Sequence, residues 1–292
     1  MRRVVFLFVF VCLLFTGAVA TFAQSQAPAG PPPVLQIYRE DVKPGKTAAH
    51  EKVETGWPRA FAAANSPTHY LAMTSVTGPN EAWFLTGYPN LAAWEQDVKN
   101  NDSNATLSAE LSRLSQQDGE LLNSVRSITA AYRTDLSYRS GGSIATMRYF
   151  LVTTIRVRPG FENDFNEGWR MVVAAHEKAN MNERWAMYQV TAGAPAGTFI
   201  YFGALKSLAE VDATAGMHSA DAYQSAVGDE GRKRLREMNR AGTITSETNY
   251  YAFNPAMSYV SKEWIAADPG FWTPKPTVAT KKTTTVKPAG QQ

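Results

Sequence analysis

The same order of apolar and polar runs appears twice along the chain, displaced by about 115 residues, and internal repetition outranks any single motif as evidence of architecture. Residues 34–39 form a β-rich run that reaches Lys43-Pro44-Gly45 and enters a helically periodic stretch containing Gly56-Trp57. Residues 149–155 reach Arg158-Pro159-Gly160 and a stretch containing Gly168-Trp169. Pro fixes φ and Gly permits the reversal, so each strand is expected to turn into a helix. Two short runs follow in each half, 70–76 with 82–88 and 185–191 with 198–204, joined by Gly/Pro turns that predict hairpins. Asn90 and Ser207 then stand as N-caps, the latter with Glu210 in a capping box. Polar helices over 107–123 and 220–240 and closing strands over 124–138 and 243–253 complete two β-α-β-β-α-β units.

Within the first helix of each unit the apolar spacing defines a stripe that faces the sheet. It runs His50, Val53, Trp57, Phe61 in the first copy and Phe161, Phe165, Trp169, Val172, His176 in the second. His50 and His176 are thus expected beside a core with a tryptophan nearby. The copies are not equivalent, because Phe165 stands where the first has His50, so a functional site is expected once, and the second copy is the favoured place.

This element order, the two basic-Pro-Gly turns and the Gly-Trp pairs resemble the dimeric α+β barrel superfamily over most of 34–253. The resemblance implies an α+β fold in which two ferredoxin-like repeats, 34–140 and 147–259, pair into a barrel within one chain. As a tandem-repeat member, the chain resembles antibiotic-biosynthesis-monooxygenase-like or stress-response barrel proteins. Haem-degrading enzymes and chlorite-dismutase-like haem proteins share the fold, but no catalytic set transfers residue by residue, and fold analogy alone licenses no reaction.

The ends change the picture. Arg2 and Arg3 precede an apolar run over 4–15 and the small residues Ala18-Val19-Ala20, the order of a secretory signal peptide. Residues 1–20 are expected to be removed, with Ala23 marking the competing site, and the mature chain to be secreted or periplasmic without stable membrane insertion. A Pro-rich leader, 21–33, precedes the repeats, and 260–292 forms a C-terminal extension with a Lys/Thr/Pro tail expected to be disordered. The only cysteine, Cys12, lies in the signal, so disulfides, thiolate zinc and cysteine nucleophiles are excluded from the mature chain. The full-length charge is +3, but six of the 29 basic residues lie in the signal and tail. The remaining 23 face 26 acidic ones, and the nucleic-acid reading loses its support.

Four histidines exist, and no nucleotide, zinc-protease or calcium-loop motif is present, so no metal site is expected. His69 and His218 are expected to face solvent. His218-Ser219-Ala220-Asp221 has the residue types of a hydrolase triad without its elbow. The ligand-lining candidates are His50, Trp57, Trp83, Trp169, His176 and Tyr188, with His176 the candidate catalytic group or haem ligand. The leading expectation is a cofactor-independent barrel that binds a small apolar or aromatic molecule, with monooxygenase-like activity as its catalytic form. A non-catalytic binding or assembly module, including a homo-oligomer, is the alternative, and haem binding the third.

Overall fold

A computed structural model describes residues 30–214 and 221–273; the signal segment, His218 and the tail lie outside the described residues. The first copy comprises β1 (Val34–Val42), α1 (Thr47–Glu54), α2 (Gly56–Ala63), β2 (Tyr70–Ser75), β3 (Glu81–Tyr88), α3 (Leu91–Ser103), α4 (Ala105–Gly119) and β4 (Leu122–Tyr132). The second comprises β5 (Tyr149–Val157), α5 (Glu162–Lys178), β6 (Ala186–Ala192), β7 (Thr198–Leu205), α6 (Ala209–Thr214), α7 (Asp221–Gly242) and β8 (Thr243–Phe253). Two short helices, α8 (Lys262–Ala267) and α9 (Pro269–Trp272), follow. The turn glycines Gly45 and Gly160 have φ of 77° and 90°, the left-handed backbone that the Pro-Gly sequences predict.

Each copy forms a sheet in the order β4-β1-β3-β2 or β8-β5-β7-β6, and the two join edge to edge into a closed antiparallel barrel, β1-β3-β2-β8-β5-β7-β6-β4. Closure leaves neither sheet with a free edge. The seams are short: Met73↔Phe253 to Ser75↔Tyr251 joins β2 to β8, and Thr129↔Ala192 to Tyr132↔Tyr188 joins β4 to β6.

Strand alternation sorts the barrel into two faces. Inward positions such as Leu35, Ile37, Met73, Phe150, Ile200 and Phe253 form one buried cluster, so the lumen is filled with side chains. Trp272 of α9 joins this cluster, and its indole N–H donates to Ala145 O at 2.6 Å. The leader also reaches the barrel, where Tyr188 donates to Pro32 O at 3.0 Å.

The helices cover the outside. In the second copy Phe165 of α5 packs on Ile155, Val157, Met187 and Phe199. In the first copy the layer is made by α1, α2 and α4, and the helix predicted as continuous is broken at Thr55. Among the described residues no helix is long and apolar enough to cross a membrane.

The helix after Asn90 starts where that cap predicts, and the next one starts at Ala105 on a cap, Asn104, that is not among the predicted ones. Asn90 accepts from Ala93 N at 2.8 Å, and Asn104 accepts from Leu107 N at 3.1 Å. The second-copy capping box is shifted, since the Glu210 carboxylate accepts from Lys206 N rather than from Ser207. Asn104→Ala is expected to cost about 1 kcal/mol, measured by urea unfolding, because it orphans a first-turn amide of α4.

Candidate functional site

The structure separates the six sequence candidates into three places. Trp83 and Tyr188 lie in the lumen, His50 and Trp57 in the first-copy helix layer, and Trp169 and His176 in the second. His69 is exposed, as its sequence position predicts, with its ring stacked 4.8 Å from that of Tyr259.

In the lumen, Glu81 is the polar centre. Arg39 donates to it twice, at 2.9 and 2.6 Å, and Trp83 Nε1 and Tyr251 OH donate at 2.9 and 3.0 Å. These bonds satisfy the carboxylate, and the Arg39 guanidinium also lies 5.1 Å from the Trp83 ring centroid. The arrangement is structural, with each of these groups facing another side chain of the barrel.

In the second copy, His176 is fully buried, with the Trp185, Tyr223 and Tyr138 rings 4.8, 5.0 and 5.4 Å away. Its Nδ1 lies 2.8 Å from Val172 O and its Nε2 2.7 Å from Glu183 Oε2. Both ring nitrogens are engaged, so this geometry does not present one to a haem iron. A cleft of about 250 Å³ lies beside it, lined by Trp169, Val172, Tyr223, Leu235, Met238 and Asn239.

The first copy brings a pair spaced by one helical turn together with two acids from other elements. His50 and Glu54 are one helical turn apart, on the same face of α1, and both are buried. Glu40 projects from the outer face of β1, and Asp118 arrives from the last turn of α4. Gly56 permits that approach: a Cβ there would collide with Leu114 of α4. His50 Nε2 lies 2.9 Å from Glu40 Oε2 and 3.6 Å from Asp118 Oδ1. One ligand atom from each of Glu40, His50, Glu54 and Asp118 falls within 4.8 Å of all the others.

This cluster is short of compensation. Among the described residues, Glu54 Oε1 and Asp118 Oδ1 are buried without a hydrogen-bond partner. Burial first, then the Glu40 and Asp118 charges, push the Glu54 carboxyl up to about 10, with the Trp57 indole opposing. Burial and then Glu40 raise Asp118 to about 6, with His50 opposing. Tyr70, whose hydroxyl is likewise buried and unpartnered among the described residues, is raised well above the usual phenol range by burial and then by Glu54 and Glu40.

Beside the cluster runs an open groove of about 500 Å³, lined by Trp57, Asn101, Asp102, Ser108, Leu111, Ser112 and Ser115. Trp57 follows Glu54 by three residues and Ser115 precedes Asp118 by three, so both walls continue from the segments that carry the buried acids.

No family model matches the sequence, and no curated protein matches it. Solved structures do. An anthrone oxidase-like protein is 14% identical with a TM-score of 0.51, over 78% of this chain and 94% of that one. A provisionally named monooxygenase from Fusobacterium nucleatum is 12% identical with a TM-score of 0.49, over 76% and 93%. A mutant chlorite dismutase from Candidatus Nitrospira defluvii is 11% identical with a TM-score of 0.44, over 77% and 92%. At these identities the likeness concerns fold alone, and together with the closed barrel of two four-stranded sheets it shows that this chain has a ferredoxin-like α+β barrel fold.

Proposed function

We propose that the protein is an exported barrel that binds a small aromatic molecule carrying hydroxyl or amine groups, in the groove of the first-copy helix layer. The observation that carries this reading is the groove's lining: an indole and a leucine supply apolar surface, while three serines, an amide and a carboxylate supply hydrogen bonds. The filled lumen supports placing the ligand outside the barrel rather than within it. Export rests on the order of charge, apolar run and small residues at the N-terminus. Monooxygenase-like oxidation of the bound ring is the catalytic form of this reading, and the similarity to an anthrone oxidase-like structure is consistent with it.

Native mass spectrometry of the mature chain, followed by titration with hydroxylated naphthalenes, tests the reading. A bound species of one per chain is expected, with affinity lowered at least about tenfold in Trp57→Ala, the loss of one aromatic wall. Absence of any adduct at millimolar ligand, or equal binding by Trp57→Ala, would overturn the groove assignment.

A further inference from the structure

We propose that Glu40, His50, Glu54 and Asp118 form a binding site for one divalent first-row transition-metal ion. Three observations converge on it. The donor set is one imidazole and three carboxylates without sulfur, a combination suited to Mn²⁺, Fe²⁺ or Zn²⁺. Metal–ligand bonds of about 2.1 Å place donor atoms roughly 3–4 Å apart. The four atoms here lie within 4.8 Å of one another, so a small contraction completes the shell. Two of the carboxylates, on residues only 3% exposed, hold buried oxygens with no hydrogen-bond partner among the described residues, and the nearest basic group to Asp118 Oδ1 among them is His50 Nε2 at 3.6 Å. A cation supplies what those oxygens lack, since buried polar atoms are otherwise paired.

The alternative is a cluster kept neutral by protons alone. It needs no cation, but in the observed geometry Glu54 Oε1 and Asp118 Oδ1 make no hydrogen bond to another described residue. The metal satisfies both and displaces any proton held there, so binding releases protons and strengthens as pH rises. The second copy does not repeat the cluster: its Phe165 and Ile155 form part of an apolar cluster instead.

The metal site is independent of the groove ligand, because it is read without any small molecule. Tag-free mature protein, stripped with EDTA and dialysed, is titrated calorimetrically with MnCl₂ and with ZnCl₂, and bound Mn²⁺ is followed by electron paramagnetic resonance. One ion per chain is expected, with binding weakened at least about tenfold in both Glu54→Gln and Asp118→Asn. Glu54→Gln removes a buried acid and keeps its shape, so it is expected to fold, and circular dichroism checks this. No stoichiometric binding of either ion at millimolar concentration would overturn the proposal. So would unchanged affinity in the two folded variants, which would place the ion elsewhere.

Discussion

Metal-free protein is expected to lose stability as pH rises from about 5 to about 9, and Glu54→Gln to remove most of that loss. The Glu54 carboxyl has an ordinary value of 4.5 and is pushed up to about 10 in the fold. Between those values the native state holds a proton that the unfolded chain has released. Stability therefore falls with pH across that window, by at most about 1.4 kcal/mol per pH unit for one proton. Asp118, raised from 3.8 to about 6, adds a slope of the same sign at the acidic end. Glutamine carries no charge at any pH, so Glu54→Gln is expected to be more stable than the parent at about pH 8, by roughly 2–4 kcal/mol. Urea unfolding in EDTA across the pH series measures both effects. A parent slope retained in Glu54→Gln would show that the buried charge is not the cause.

Most elements were legible because their signals are local. The Pro-Gly turns, the Asn90 cap and the alternating runs each act within a few residues, and strands and helices formed where they point. Barrel closure was legible only through resemblance, since the seams rest on a few pairs between distant strands. The candidate cluster was legible in one member. His50 falls on an apolar stripe, but Glu54, one turn later on the same face, was not among the residues read from that stripe, and Asp118 lies 68 positions beyond His50 and arrives through packing of α4. Glu40 sits in the strand alternation at a position that reads as outward and exposed. A His-Glu pair at i, i+4 on a stripe facing a strand glutamate was the available signal. The signal for His176 was stronger, yet its ring is closed in by Val172, Glu183 and three aromatic rings.

Glu81→Ala is expected to cost about 3–5 kcal/mol, and to lower the melting temperature by about 10 °C, more than any other single change in the lumen. Four donated hydrogen bonds converge on this carboxylate from Arg39, Trp83 and Tyr251. Truncation leaves a half-buried guanidinium, an indole N–H and a phenol without their acceptor, and the desolvation cost of each remains. The Tyr251 phenol is itself pushed up by burial and by the Glu81 charge, so it cannot take over the negative role at neutral pH. Tyr251→Phe removes one donor from a carboxylate oxygen that keeps its bonds from Arg39 and Trp83, and is expected to cost about 1 kcal/mol. Glu81→Gln keeps the shape with one acceptor oxygen and should fall between the two. Thermal unfolding of the three variants tests the order, and an alanine variant no weaker than Tyr251→Phe would mean that water or relaxation replaces the carboxylate. Because β1, β3 and β8 all contribute to this network, its loss acts on both copies at once, which is why the largest effect is expected here and not in either helix layer.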